Sequence, residues 1–251
     1  MTGGGGGIGR AMCEEFLKEG KKVIICGRTE ANLQTASKEM SNCPYYVLDT
    51  GDIKAIPAFL EKVTKEHPDL DCLVNNAGVQ RPLDVNEMEA KDFLEKADNE
   101  IAINVNGPIH LAVGLLEHFK QKPAAVIINI SSILGYLPTS IINPIYNGTK
   151  SLVHFWSMNL RTQLEQAGAN IRVIEIAPPT VSTDLHRERK DPNDNKKEEN
   201  PNALSLKDFI EEVVQNWKND LDVFGAGPSQ KMVDRWNFEF LDDYNQAAGA
   251  K

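Results

Sequence analysis

Along the chain, apolar runs of strand length alternate with longer stretches in which apolar residues return every three or four positions. That order predicts strand and helix units repeating around a parallel sheet. Residues 22–26, 45–48, 72–75, 125–130 and 172–176 read as strands. Between them, Ile8, Met12, Phe16 and Leu17 form a helical stripe closed by Gly20, and Leu33, Ala36 and Met40 form a second that Thr29 caps. A third helix covers 52–66 and stops before Pro68. Long helical patterns follow over 90–120 and 144–167, and a later one over 206–219 sets Phe209, Val213, Val214 and Trp217 on one face. Residues 186–200 hold one histidine and no aliphatic side chain, so they predict an exposed, charged loop. After it, 223–227 predicts a short last strand and 230–243 an amphipathic tail.

Composition narrows the picture. With 251 residues, 41% hydrophobic and 25% charged, the chain has the balance of a globular protein and suits one domain over 1–251. The longest apolar run, 124–128, is far short of the roughly 20 residues of a membrane span. The glycine-rich start has neither the basic nor the apolar part of a secretory signal, which makes the cytoplasm the expected location. A formal charge of −9 repels phosphate backbones and anionic lipid, so neither nucleic acid nor membrane is an expected partner. Cys13, Cys26, Cys43 and Cys72 are scattered without the close pairs of zinc or redox sites, which predicts buried, reduced thiols and no metal.

Four constellations could carry chemistry. The run from Thr2 to Gly9 leads straight into a helical stripe, and its glycines would let a pyrophosphate approach backbone amides at the positive end of a helix. Five consecutive glycines equally describe a flexible linker. Arg28 stands after the next strand, where an acidic residue would bind a ribose 2′-hydroxyl; a guanidinium there suits a 2′-phosphate, or is a plain surface arginine. Tyr146 and Lys150 share a helix face. Bringing a phenol from about pH 10 to neutrality takes about 4 kcal/mol, and an ammonium about 5 Å away supplies on the order of 3 kcal/mol; the pair also reads as core packing with a solvated lysine. Ser132 ends a strand, where its hydroxyl would polarise a substrate oxygen or cap a turn. No G-x-S-x-G elbow is present, which speaks against a hydrolase. His154 reads as a structural helix residue.

Taken together these residues resemble the classical short-chain dehydrogenase/reductase family from Thr2 to about Leu185, with a looser fit to Gly227. The family's TGxxxGxG is Thr2, Gly3, Gly7 and Gly9, its Asn-Asn-Ala-Gly is Asn75 to Gly78, and its YxxxK is Tyr146 and Lys150. The resemblance implies a doubly wound, Rossmann-type parallel sheet. It also implies an NADP(H)-dependent oxidoreductase of the carbonyl reductase or alcohol dehydrogenase type, acting on a small carbonyl or alcohol. Tyr146 would pass the proton, Ser132 would hold the substrate oxygen, Lys150 would lower the phenol pKa and grip the nicotinamide ribose, and Asn104 would anchor a water. A helix-kink role for Asn104, bonding the backbone, is compatible with this. Asp49 would contact adenine, Asn76 and Ala77 the adenosine ribose, and Ile130 the nicotinamide ribose, with Ile8 and Gly78 also at the cofactor. Pro178, Val181 and Thr183 would cover the nicotinamide. The substrate wall would draw on Val79, Gln80, Arg81, Leu134, Tyr136, Leu137 and Asn143, and 186–200 matches the family's substrate lid in position. Relatives assemble through the helices near Asn104 and Tyr146, so a homodimer or homotetramer is expected.

Two departures stand out. Pro178-Pro179 replaces the usual Pro-Gly and removes a backbone donor. The glycine run begins at Gly3, which leaves no residues for the central first strand and predicts two unpaired edges inside the sheet. The preferred expectation is a polypeptide that starts a few residues earlier; the other is a damaged chain that binds cofactor poorly. The latter joins a catalytically silent regulatory or scaffold protein as the alternative function. A sugar epimerase also uses Tyr-x-x-x-Lys, but needs a substrate domain that the residues after Thr183 do not supply.

Overall fold

A computed structural model describes residues 1–249. Six parallel strands and eight α-helices alternate: α1 (Gly7–Lys18), β1 (Ile25–Gly27), α2 (Glu30–Glu39), β2 (Tyr45–Val47), α3 (Ile56–Glu66), β3 (Cys72–Asn75), α4 (Ala90–Ile101), α5 (Gly107–Lys120), β4 (Ala125–Ile130), α6 (Pro144–Gln166), β5 (Ile171–Ala177), α7 (Leu206–Lys218), β6 (Val223–Gly225) and α8 (Pro228–Ala248). The strands fall into two groups, β1-β2 and β3-β4-β5-β6. β3, β4 and β5 carry almost unbroken aliphatic side chains because helices cover both of their faces. One face packs against α3, α5 and α6 through Leu60, Leu111, Phe119 and Leu160; the other packs against α1 and α7 through Met12, Phe209 and Val213. Among the described residues, no helix is long and apolar enough to cross a membrane.

The expected pair of unpaired central edges needs correction. Met1 and Thr2 lie between β1 and β3 and serve both sides. The Met1 ammonium donates to the Ile24 carbonyl at 2.9 Å, and the Met1 carbonyl accepts from Cys26 N–H at 2.9 Å. Thr2 bridges Cys26 in parallel and donates its N–H to the Val74 carbonyl at 3.0 Å. On its other edge β1 begins at Ile25 rather than at residue 22, because only 25–27 pair with β2.

Other boundaries also move. Residues 52–55 form turns, so α3 begins at Ile56 with a proline in its first turn. Thr29 occupies the cap position of α2, but its side chain makes no capping bond. The tail helix runs from Pro228 to Ala248, longer than expected. The single helix expected over 90–120 is broken by a π-helical turn, Ala102–Asn106. There the Asn104 amide donates to the Val79 carbonyl at 2.8 Å while its carbonyl accepts from Val79 N–H at 2.9 Å. A side chain clamped to a neighbouring strand exit widens the turn that carries it, and the kink reading of Asn104 holds.

Candidate active site

The glycine loop runs from the splice into α1. Gly3 and Gly7 adopt φ of +65° and +53°, a region that favours glycine. A Cβ on Gly9 would stand 2.5 Å from the Gly3 carbonyl oxygen, so the helix can start beneath the loop only with glycine there. Gly6 faces open space and caps α1 without a side chain, leaving first-turn amides free for an anion. Thr2 is buried behind this cradle. Its hydroxyl accepts from the N–H groups of Asn76 and Ala77, both at 2.9 Å, and donates to Val74 at 3.2 Å, which fixes the exit of β3. Thr2 and Gly9 therefore shape the cradle from behind.

Ser132 follows β4, and its hydroxyl accepts from Leu134 N–H at 3.1 Å, capping a short 3-10 turn. A Cβ on Gly135 in that turn would lie 2.7 Å from the Lys150 backbone, so the turn lies flush on α6. Tyr146 and Lys150 sit one turn apart on α6, each 5% exposed. The Lys150 ammonium lies 5.5 Å from the centre of the Tyr146 ring and donates to the Ile130 carbonyl at 2.8 Å. Asn104 also donates to the Thr149 hydroxyl at 3.2 Å, which ties the π-helical turn to the same helix.

Burial shifts the two groups in opposite directions. Burial raises the phenol, with the Ser132 hydroxyl pulling the other way and the Glu100 charge adding to the rise. Burial also pulls Lys150 down to about 8, opposed by Glu100 and Glu175. The hydrogen bond to the Ile130 carbonyl fixes the ammonium beside the Tyr146 ring.

One cavity of about 700 Å³ joins these parts. Its lining includes Gly3, Gly7 and Ile8 of the loop, Asn76, Ala77 and Gly78 after β3, Ile130 and Ser132 at the end of β4, Tyr146 and Lys150 of α6, and Pro178, Val181 and Thr183 after β5. Arg28 and Asp49 stand outside these walls. Arg28 is exposed after β1, and the Asp49 carboxylate accepts from Gly51 N–H at 2.9 Å in a local turn. Asn104 likewise acts from behind the cavity.

Residues 1–194 match the family model of short chain dehydrogenases. The chain belongs to this family. The dehydrogenase is 36% identical over 191 residues, covering 76% of this chain and 74% of its relative, to the uncharacterized oxidoreductase DltE of Bacillus subtilis (strain 168). It is 32% identical over 218 residues, 85% of this chain and 86% of the other, to the NADP-dependent 3-hydroxy acid dehydrogenase YdfG of Escherichia coli (strain K12). Among solved structures, the closed form of serine dehydrogenase complexed with NADP+ superposes with a TM-score of 0.77 at 28% identity, over 90% of this chain and 93% of that one.

One feature of the chain escaped the sequence reading. Tyr136, expected on the substrate wall, turns instead into a buried network around Glu175 of β5. The Glu175 carboxylate accepts from Ser131 at 2.5 Å and Tyr136 at 3.0 Å, and pairs with His154 Nδ1 at 2.9 Å. Burial pushes this carboxyl up, but its contacts with His154, Ser131 and Tyr136 together outweigh that and hold the group below its usual range. A glutamate flanked by isoleucines in a buried parallel strand was the available signal, since a buried carboxylate needs partners.

The segment after Thr183 was expected either as an exposed loop or as a match to the family's substrate lid. It is mostly exposed, as expected, yet His186 is buried and Arg187, Arg189 and Asn195 also reach the cavity. Of the other expected wall residues, Gln80 and Leu134 line the cavity, whereas Val79, Arg81, Leu137 and Asn143 do not. Arg81 instead pairs with Glu188 at 3.2 Å, and the Asn143 amide donates to the Arg81 carbonyl at 2.8 Å. These contacts tie the segment to the body.

Proposed function

We propose that this oxidoreductase interconverts a carbonyl and an alcohol with NADP(H), Tyr146 acting as the proton donor and acceptor. The observation that carries the reading is the presence of Ser132, Tyr146 and Lys150 in the same cavity as the glycine cradle. The residues present fit a nicotinamide dinucleotide: the cradle has no side chain at Gly6, free amides at the start of α1, and a buried lysine at its far end. When bound, that group supplies or takes the hydride at the substrate carbon. Ser132 holds the substrate oxygen, and in reduction Tyr146 gives its proton to that oxygen as the hydride arrives at carbon, producing the alcohol. Lys150 holds the nicotinamide ribose, and Asn104 anchors a water behind Lys150. Arg28 holds the 2′-phosphate; the names of the YdfG and serine dehydrogenase relatives support NADP in the same direction.

Exposed apolar side chains on α4, α5 and α6, among them Leu94, Val113 and Phe155, support assembly into a homodimer or homotetramer through those helices. The catalytic reading is tested by Tyr146→Phe. NADPH oxidation across a panel of aldehydes and ketones should fall by at least a thousandfold, with NADPH affinity by fluorescence titration changed less than about threefold. Retained turnover in the variant refutes the assignment.

A further inference from the structure

Ser132 and Tyr146 have to act on one substrate oxygen, yet they stand on different elements. Ser132 heads the short 3-10 turn Ile133–Gly135 after β4, and Tyr146 lies in the first turn of α6. Their mutual placement depends on contacts that tie these elements together, and a misplacement of about 1 Å costs on the order of a hundredfold in rate. Main-chain acceptors supply part of the tie. Ser131 N–H donates to the Ile176 carbonyl at 2.8 Å, Ile133 N–H to the Pro178 carbonyl at 3.0 Å, and the Ser151 hydroxyl to the Gly135 carbonyl at 2.8 Å.

The rest passes through Glu175 of β5, which is fully buried. Its Oε1 accepts from the Ser131 hydroxyl at 2.5 Å and from the Tyr136 hydroxyl at 3.0 Å, so it grips the chain just before Ser132 and again just after the turn. Its Oε2 accepts from His154 Nδ1 at 2.9 Å, one helical turn beyond Lys150 on α6. One carboxylate therefore holds the serine segment with one oxygen and the helix of Tyr146 and Lys150 with the other. The Tyr136 ring lies 4.1 Å from that of His154, and Trp236 of α8 meets the same imidazole edge-on at 4.7 Å, which seals the outer side of the network. An aliphatic side chain in β5 would serve stability as well or better, because burying a carboxylate carries a large desolvation penalty. It would not fix the directions of three hydrogen bonds.

We infer that Glu175 is a positioning residue for the reaction: through Ser131, Tyr136 and His154 it fixes the Ser132 hydroxyl relative to Tyr146. This assignment rests on the oxidoreductase reading and deepens it. The Glu175 charge has a second effect on the same site, since together with Glu100 it favours the Lys150 ammonium against the pull of burial.

The test follows NADPH oxidation with butanal, benzaldehyde and acetophenone, together with Tm. Glu175→Leu keeps the bulk and removes the acceptor; kcat should fall about a hundredfold while KM for NADPH stays within about threefold. Glu175→Gln retains an oxygen that accepts from Ser131 and Tyr136, and should recover kcat to within about tenfold of the wild type. Tyr136→Phe and Ser131→Ala each take away one donor, serve where the leucine variant does not fold, and should each lower kcat about tenfold. The deciding comparison adds Tyr136→Phe to Ser132→Ala, with the residual rate read at high enzyme concentration. If the network acts through Ser132, the second change costs less than about twofold there. A tenfold loss in both backgrounds places the effect elsewhere and overturns the inference. So does a fall in Tm with kcat per folded molecule unchanged, which makes the network a source of stability alone. If the wild-type enzyme turns over none of the three carbonyls, the oxidoreductase reading fails and the inference fails with it.

Discussion

Glu100, on the last turn of α4, is fully buried, and both of its carboxylate oxygens lack a hydrogen-bonding side-chain partner. Burial raises its pKa from 4.5 to about 7, against the opposing pull of Arg81. In the unfolded chain the group ionises near 4.5, and in the folded protein near 7, so between those values the folded state holds the extra proton. Stability therefore falls as pH rises through this window, and the full penalty is present above it. At 1.36 kcal/mol per pH unit the displacement from 4.5 to about 7 amounts to about 3 kcal/mol. Glu100→Gln keeps the shape and cannot ionise. Thermal unfolding followed by circular dichroism should show the variant about 5–10 °C more stable than the parent at pH 8 and little changed at pH 4.5. A second readout is catalytic: the Glu100 charge supports the Lys150 ammonium, so its removal should move the alkaline limb of NADPH oxidation to lower pH. A gain in Tm of the same size at both pH values would show that packing, and not ionisation, is responsible, and would refute the argument.

The exposed Arg28 should govern cofactor choice: Arg28→Asp is expected to lower the ratio of kcat/KM with NADPH to that with NADH by at least tenfold, and an unchanged ratio means the 2′-phosphate is held elsewhere. His154→Phe keeps a ring against Tyr136 and Trp236 but leaves the buried Glu175 carboxylate without its His154 hydrogen bond. The expected loss is about 3–5 kcal/mol in urea unfolding, partly recovered when Glu175→Gln is added; a loss that the second change does not relieve would mean the pair is not coupled.

Where the chemistry is local, the sequence was readable. β3 and β4 fall on 72–75 and 125–130 as expected because strands buried on both faces are written as continuous apolar runs. Most of the family motif set likewise lines one cavity, with Thr2, Gly9 and Asn75 outside its lining. Legibility ends where a residue's partner is distant in the chain. Asn104 breaks a helix through a contact 25 residues away, and nothing in the apolar pattern of 90–120 marks the break, although the family role of that asparagine admits a kink. Tyr136 reads as a substrate-facing aromatic until Glu175, 39 residues on, claims its hydroxyl. His186 and Arg189 sit in a run so polar that solvation is the natural reading, yet cavity walls and Asn143 draw them inward. Arg28 and Asp49 were placed by motif alone, and the cavity does not extend to them.

The cavity has a bearing on how the folded protein responds to what fills it. Its lining runs from the glycines that open α1 to Tyr146 and Lys150 on α6 and to Pro178, Val181 and Thr183 after β5. Under the proposed reading, a dinucleotide bound there touches elements far apart in the chain, and at a hundred times its dissociation constant it adds about 2.7 kcal/mol against every opening that releases it. The cofactor is then a staple of the fold as well as a reactant.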